Sequence, residues 1–504
     1  MRPHTSRPAP VANRGGAGSG SETATPHQLA HRTLLSGAIR LCDLTLLAVV
    51  VLAARCLGAD GFGLFTFGLA LASVVVTPLI EGLAPMMAKS AARDPQHIGQ
   101  QLGTMLPMQT VITAGLLVLG WMVMTWLRWS PERQAIALVM GGALGARGPL
   151  EILRAAVRGR GRLDIELKII GMERMLLLTS AAVVLLLGGG PLRLGACFIG
   201  ARLVSAGAAF RWVRVLGHAP RWQSTGWSRC LAESLPYGAS MFIYAVHDQV
   251  SILCLSWLWN DAMTGAYSAA YRLYEGVGSL AQILVLVLLP ELAVRHASAP
   301  QLVEPLVRKA TRYAALVALP VAAGFLMEGP WLIGRLYGGQ YHEAVRSLQI
   351  LAVGLLPLFT RQIAGAALWA LDRQRVALAA TAAGGIANVA FSLWLIPSHG
   401  AAGAAAAMAL SASLVWGWMW IVLWQHGIRW PWLSAALKPG IVALTIGLAL
   451  WRLHGQPWAF RMIGAGLAGL AAVVLIGAVS PKEWALVRGL VQLRAVRPDD
   501  GGTL

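Results

Sequence analysis

Long apolar runs alternate with short polar connections along most of the chain. A bilayer-spanning helix needs roughly twenty apolar residues, and runs of that kind cover 34–57, 62–88, 99–127, 133–153, 165–188, 191–215, 232–257, 262–293, 308–332, 345–370, 376–397, 400–424, 435–453 and 459–479. The pattern predicts an all-α polytopic membrane protein with about 14 transmembrane helices. A polar, aromatic stretch at 217–231 divides it into an N-terminal six-helix lobe, 34–216, and a C-terminal one, 232–424, followed by two additional helices within 435–479. Trp212, Trp222 and Trp227 interleave there with arginines, which suits a linker lying in the cytoplasmic headgroup region.

The tails are of another kind. Residues 1–33 are rich in Pro, Gly, Ser and Arg and hold no apolar run, so they read as a disordered cytoplasmic tail rather than a signal peptide, and the first helix as an uncleaved start-transfer segment. Residues 480–504 form the second cytoplasmic tail.

Basic residues mark alternate connections. Lys89 and Arg93, Arg154 to Arg162, Arg211 to Arg229, Arg295 to Arg312, Arg373 and Arg375, and Arg429 and Lys438 fall on one side, with both tails. By the positive-inside rule that side is cytoplasmic, so a multi-pass protein of the inner membrane is expected, with both termini inside. The rule also accounts for a net charge of +19 in a chain that is 57% hydrophobic and 12% charged. No nucleic-acid partner is implied. Cys42, Cys56, Cys197, Cys230 and Cys254 lie in or beside apolar runs without metal-ligand spacing. No Walker A, GxSxG or HExxH motif occurs, and no extramembrane stretch is long enough for a catalytic domain. A transporter without a cofactor is the expectation, rather than an enzyme.

Two stretches resemble each other. The first hairpin carries Leu57-Gly58-Ala59-Asp60-Gly61-Phe62-Gly63-Leu64-Phe65, and Thr264-Gly265-Ala266-Tyr267-Ser268 repeats its order of glycine, small or apolar residue, aromatic and hydroxyl. Both open the second helix of a lobe, which implies a pseudo-two-fold axis along the membrane normal. With Leu235-Pro236-Tyr237-Gly238 and Ala269-Ala270-Tyr271, these residues resemble the Wzx-type oligosaccharide flippases, the polysaccharide-export branch of the MATE/MOP exporter superfamily. The resemblance covers 34–424 and implies two lobes around a central cavity, alternating access, and movement of a polyprenyl-pyrophosphate-linked oligosaccharide from the inner to the outer leaflet for polysaccharide synthesis. It also implies glycan polymerase and chain-length proteins as possible partners, beside the membrane lipids.

A lipid pyrophosphate needs cations, and arginine offers a fork that fits phosphate. Candidates within the spans are Arg40, Arg147, Arg202, Arg272 and Arg361. Three have an acid at helical spacing: Arg40 with Asp43, Arg147 with Glu151 and Arg272 with Glu275, so these spacings equally allow structural ion pairs. Arg202 and Arg361 have none, and something else must compensate them. Arg361 follows Pro357 by four residues, where a bend is expected. Asp43, Glu81, His247, Asp248 and Glu275 are candidate ion-coupling groups; His247 beside Asp248 suits a proton relay, the alternative being that both pair with arginines across the cavity. Tyr267, Tyr271 and Tyr274 share one helix face, with Tyr244 on the neighbouring helix, a stripe that lines a glycan path or serves as packing. A cation-coupled drug or metabolite exporter of the same superfamily is the competing reading; it requires that acidic groups dominate the cavity.

Overall fold

The apolar runs fold as helices. A computed structural model describes residues 26–223, 226–430 and 432–478, leaving aside the side chains of 26–41, 43, 44, 287 and 432–434. Among the described residues every regular element is helical: α1 (Pro26–Arg93), α2 (Ile98–Trp126), α3 (Pro131–Gly159), α4 (Leu163–Leu186), α5 (Pro191–Val215), α6 (Trp227–Leu258), α7 (Asp261–Ser298), α8 (Val303–Leu336), α9 (His342–Val353), α10 (Leu355–Ala370), α11 (Gln374–Gln425), α12 (Lys438–Arg452) and α13 (Trp458–Leu475), with short 3₁₀ and π turns between some of them.

Two of these helices are hairpins. Gly58 breaks α1 with φ 72° and ψ 177°, and Gly400 breaks α11 with φ 53° and ψ −128°, backbone regions that glycine enters without steric cost. The arms of α1 fold back together. Near the break, Gly63 and Ala59 meet Asp261 and Gly265 at the start of α7; further away, Leu47 of the first arm faces Gly276, while Gly82 of the second faces Ser234 and Gly238 of α6. At the α11 break, a β-carbon on Gly403 would lie 2.4 Å from the Leu395 carbonyl oxygen. Among the described residues, eleven helices are long and apolar enough to cross a membrane, and the pair α9–α10 makes twelve. Counting the arms of both hairpins separately recovers the fourteen expected spans.

The bend expected near Pro357 lies at Gly354, where α9 and α10 meet at 44°. Proline has no N–H for the Val353 carbonyl one turn earlier, so the break falls there. Outward-facing Leu119, Leu186, Leu203, Ile386, Leu444 and Leu475 are exposed around the bundle. In water such a surface would be an aggregation hazard; against lipid tails it carries no penalty.

Helices α1, α2, α3, α4 and α5 pack on one another, as do α6 to α11, and α1 also contacts α6 and α7. Residues 218–223 run along α2: the Arg221 amide donates to the Gly99 carbonyl at 2.8 Å and the Gln223 amide to that of Gly103 at 3.2 Å. A β-carbon on Gly103 would sit 1.8 Å from the Arg221 carbonyl oxygen, so only glycine admits this contact. Helix α6 starts at Trp227, ahead of the expected 232, and α1 at Pro26, ahead of 34.

The two last helices lean on α8. Arg461 Nη2 lies 2.8 Å from Glu328 Oε2, both side chains nearly buried, and Trp331 stacks on Trp458 with centroids 4.3 Å apart. At the hairpin end of the bundle, Arg55 Nε donates to the Leu336 carbonyl at 2.7 Å and its Nη2 to that of Arg335; the Tyr341 hydroxyl donates to the Ala54 carbonyl at 2.7 Å.

Candidate functional site

The candidate residues separate into two polar clusters. The first joins α1, α3 and α4. Arg147 Nη2 lies 3.2 Å from Glu81 and its Nε 3.4 Å from Glu151; Glu151 in turn accepts from Arg154 at 2.6 Å. Arg154 approaches Glu166 at 3.5 Å, and Glu166 accepts from Arg158 Nε at 2.9 Å. Alternating signs along this chain leave each charge with a counter-ion, the condition for keeping ions in an apolar interior. Arg147 and Glu81 remain about one-third exposed, so they form its accessible edge.

Arg202 lies deeper. Its Nη1 donates to the Ala143 carbonyl at 2.6 Å, its Nε is 3.5 Å from Glu173 of α4, and its guanidinium covers the Phe198 ring. The compensation that the sequence requires for Arg202 comes from a carboxylate on a neighbouring helix. Glu173 is 2% exposed and also lies 3.5 Å from Arg174 Nη1, so one buried carboxylate serves two guanidiniums, and removing it would take the counter-ion from Arg202.

The second cluster joins α6, α7, α10 and α11. Arg272 Nη1 lies 2.6 Å from Glu275, the expected same-helix pair. Arg361 Nη1 lies 3.2 Å from His247 Nε2. Among the described residues, no carboxylate lies within ion-pair distance of Arg361. Asp248 lies close enough to interact electrostatically with both Arg361 and Glu275, without a hydrogen bond to either. His247 therefore contacts Arg361, not Asp248.

The tyrosine stripe is packed inside. Tyr267, Tyr271 and Tyr274 are 0%, 3% and 1% exposed, with successive rings stacked or tilted at 5.7 and 6.1 Å, and the Tyr274 hydroxyl points to the Gly354 carbonyl at 3.4 Å. In this conformation the stripe forms core where α7 meets the α9–α10 break. Tyr244 is half-buried on α6. The side chains of Arg40 and Asp43 lie outside the described residues.

Asn388 has no counterpart in the sequence reading. It is fully buried on α11, its Nδ2 donates to the His247 carbonyl at 2.8 Å, and its Oδ1 accepts from Ser251 at 3.0 Å. An asparagine in the middle of an apolar run is the signal that could have found it.

The fold is that of the MurJ and MATE transporters. A lipid II flippase MurJ in an inward closed conformation matches with a TM-score of 0.73 at 13% identity, over 91% of this chain and 100% of that one. An inward-facing multidrug resistance MATE transporter of the MOP superfamily matches at 0.61 and 14%, over 77% and 95%. A MOP superfamily transporter from Pyrococcus furiosus, described as having a binding pocket of reverse polarity, matches at 0.56 and 14%, over 79% and 95%. The sequence model of the lipid II flippase MurJ family matches residues 213–462. No curated protein matches the sequence. The family matched thus differs from the Wzx-type branch that the motifs resemble, within one superfamily fold.

Proposed function

We propose that this chain is a flippase that carries a polyprenyl-pyrophosphate-linked saccharide from the inner to the outer leaflet of the cytoplasmic membrane. Alternating access between two six-helix bundles, 34–216 and 232–424, is the proposed mechanism, with both termini cytoplasmic. Arg361 carries the reading. Arg147, Arg202 and Arg272 each lie within ion-pair distance of a carboxylate, whereas among the described residues Arg361 meets a ring nitrogen instead. A guanidinium on a broken membrane helix that makes no ion pair among the described residues is suited to an anionic headgroup, to which it presents a planar set of donors.

An organic-cation exporter would need the reverse balance. Asp248 and Glu275 are instead met by Arg361 and Arg272. Among pyrophosphate-linked saccharides, the family model over 213–462 favours a lipid II-type precursor; the motif resemblance favours an oligosaccharide repeat unit.

Depletion of the protein tests both levels. Lipid-linked saccharide should build up on the inner leaflet, and wild-type protein but not Arg361→Ala should clear it. Mass spectrometry of the accumulated lipid identifies a peptide-bearing precursor or an oligosaccharide. Unchanged precursor pools with lost resistance to organic cations would reverse the reading.

A further inference from the structure

We propose that His247 is a positioning residue: it aims Arg361 at the phosphate groups of the substrate while leaving the arginine's charge unspent. The proposal rests on the reading of Arg361 as the anion contact. A guanidinium has donors only, so in the 3.2 Å contact with Arg361 Nη1 the imidazole accepts through Nε2 and is neutral, with its proton on Nδ1. A neutral acceptor fixes the direction of the side chain without cancelling its charge. The carboxylates that hold Arg147 and Arg272 do both at once, and a phosphate must compete with them.

The imidazole is itself held. It is fully buried against a glycine pair of α11, where a β-carbon on Gly384 would come 3.4 Å from its Cε1 and one on Gly385 3.8 Å from its Cβ. Asn388 grips the His247 carbonyl and is gripped in turn by Ser251. Position therefore passes from α11 to His247 on α6, and from there to Arg361 on α10. That last helix follows the break at Gly354, so its angle is not fixed by a continuous backbone, and a side-chain tie across to α6 supplies the missing constraint.

The test uses full-length purified protein in detergent and farnesyl diphosphate as probe, with binding and thermal unfolding measured on the same samples. Glutamine places a side-chain acceptor near the Nε2 position, and asparagine is one methylene too short to reach. His247→Asn and His247→Leu should each weaken binding roughly tenfold, the scale of one hydrogen bond to a charged group, while His247→Gln stays within about threefold of wild type. Combining His247→Asn with Arg361→Ala should bind no more weakly than Arg361→Ala alone. Equal loss in the Gln and Asn variants, or wild-type binding in both, would overturn the positioning role while Arg361→Ala still loses binding. Wild-type binding by Arg361→Ala would instead overturn the assignment of Arg361, and the positioning role with it.

Discussion

Arg133 Nη2 lies 3.1 Å from Asp261 Oδ1, joining the start of α3 to the first turn of α7 at the hairpin end of the bundle. Ser256 supports the pair, its hydroxyl donating to the same carboxylate oxygen at 3.3 Å, and Phe67 lies beneath the guanidinium at 5.7 Å. The two helices belong to different halves of the chain. Any cycle that opens this end must break the contact.

Partly exposed pairs contribute about 0.2–1 kcal/mol, enough to shift a two-state population up to about fivefold. Arg133→Ala and Asp261→Ala should therefore raise the open population at this end by similar factors. Spin labels at the exposed positions 128 and 257 would report it as a longer distance. The exchanged pair Arg133→Asp with Asp261→Arg should restore the wild-type distribution; equal distributions in all four proteins would show that the contact does not act as a latch.

Arg202 and Arg361 should fail in opposite ways. Arg202→Leu takes one of two counter-ions from buried Glu173, leaving Arg174, and frees the Ala143 carbonyl; loss of a partner in such a buried pair costs up to about 3–5 kcal/mol. Among the described residues, Arg361→Ala removes a single hydrogen bond to a charged group, about 1.5–3 kcal/mol at most, and no ion pair. Melting temperature should thus fall further for Arg202→Leu, while pyrophosphate binding should be lost in Arg361→Ala. A shared defect would mean that both arginines serve packing or both serve the ligand.

The pair Arg461–Glu328 fixes the last two helices to α8. Glu328→Ala leaves Arg461 uncompensated, at a cost of about 3–5 kcal/mol. The double variant Glu328→Leu with Arg461→Leu should recover most of that loss, because an apolar pair packs as well in this setting. Cysteines at positions 331 and 458, where the two tryptophans stack, joined by a flexible bis-maleimide in a background without the native cysteines, read out detachment: cross-linking should fall in Glu328→Ala and return in the double variant.

The helices were legible because apolar length alone sets them, and the first hairpin turn because Gly58, Gly61 and Gly63 punctuate it. Same-helix pairs such as Arg272–Glu275 were legible for the same reason: helical spacing is printed in the sequence. Contacts across helices were not. Glu173 as the partner of Arg202, Glu81 as a second partner of Arg147, and Asn388 beneath His247 depend on which faces meet, and no periodicity carries that information. The tyrosine stripe shows the converse limit. Its spacing correctly put three rings on one face, but a shared face does not say whether it meets a cavity or the core.

Reconstituted transport tests the central claim most directly. Purified protein in liposomes carrying a fluorescent polyprenyl-pyrophosphate-linked saccharide should expose the inner-leaflet pool to an impermeant quencher within minutes, and Arg361→Ala should leave that pool protected while remaining folded. Equal exposure by wild type and Arg361→Ala would remove Arg361 from the substrate path. Protection in both, with uptake of an organic cation by the same liposomes, would contradict the flippase itself.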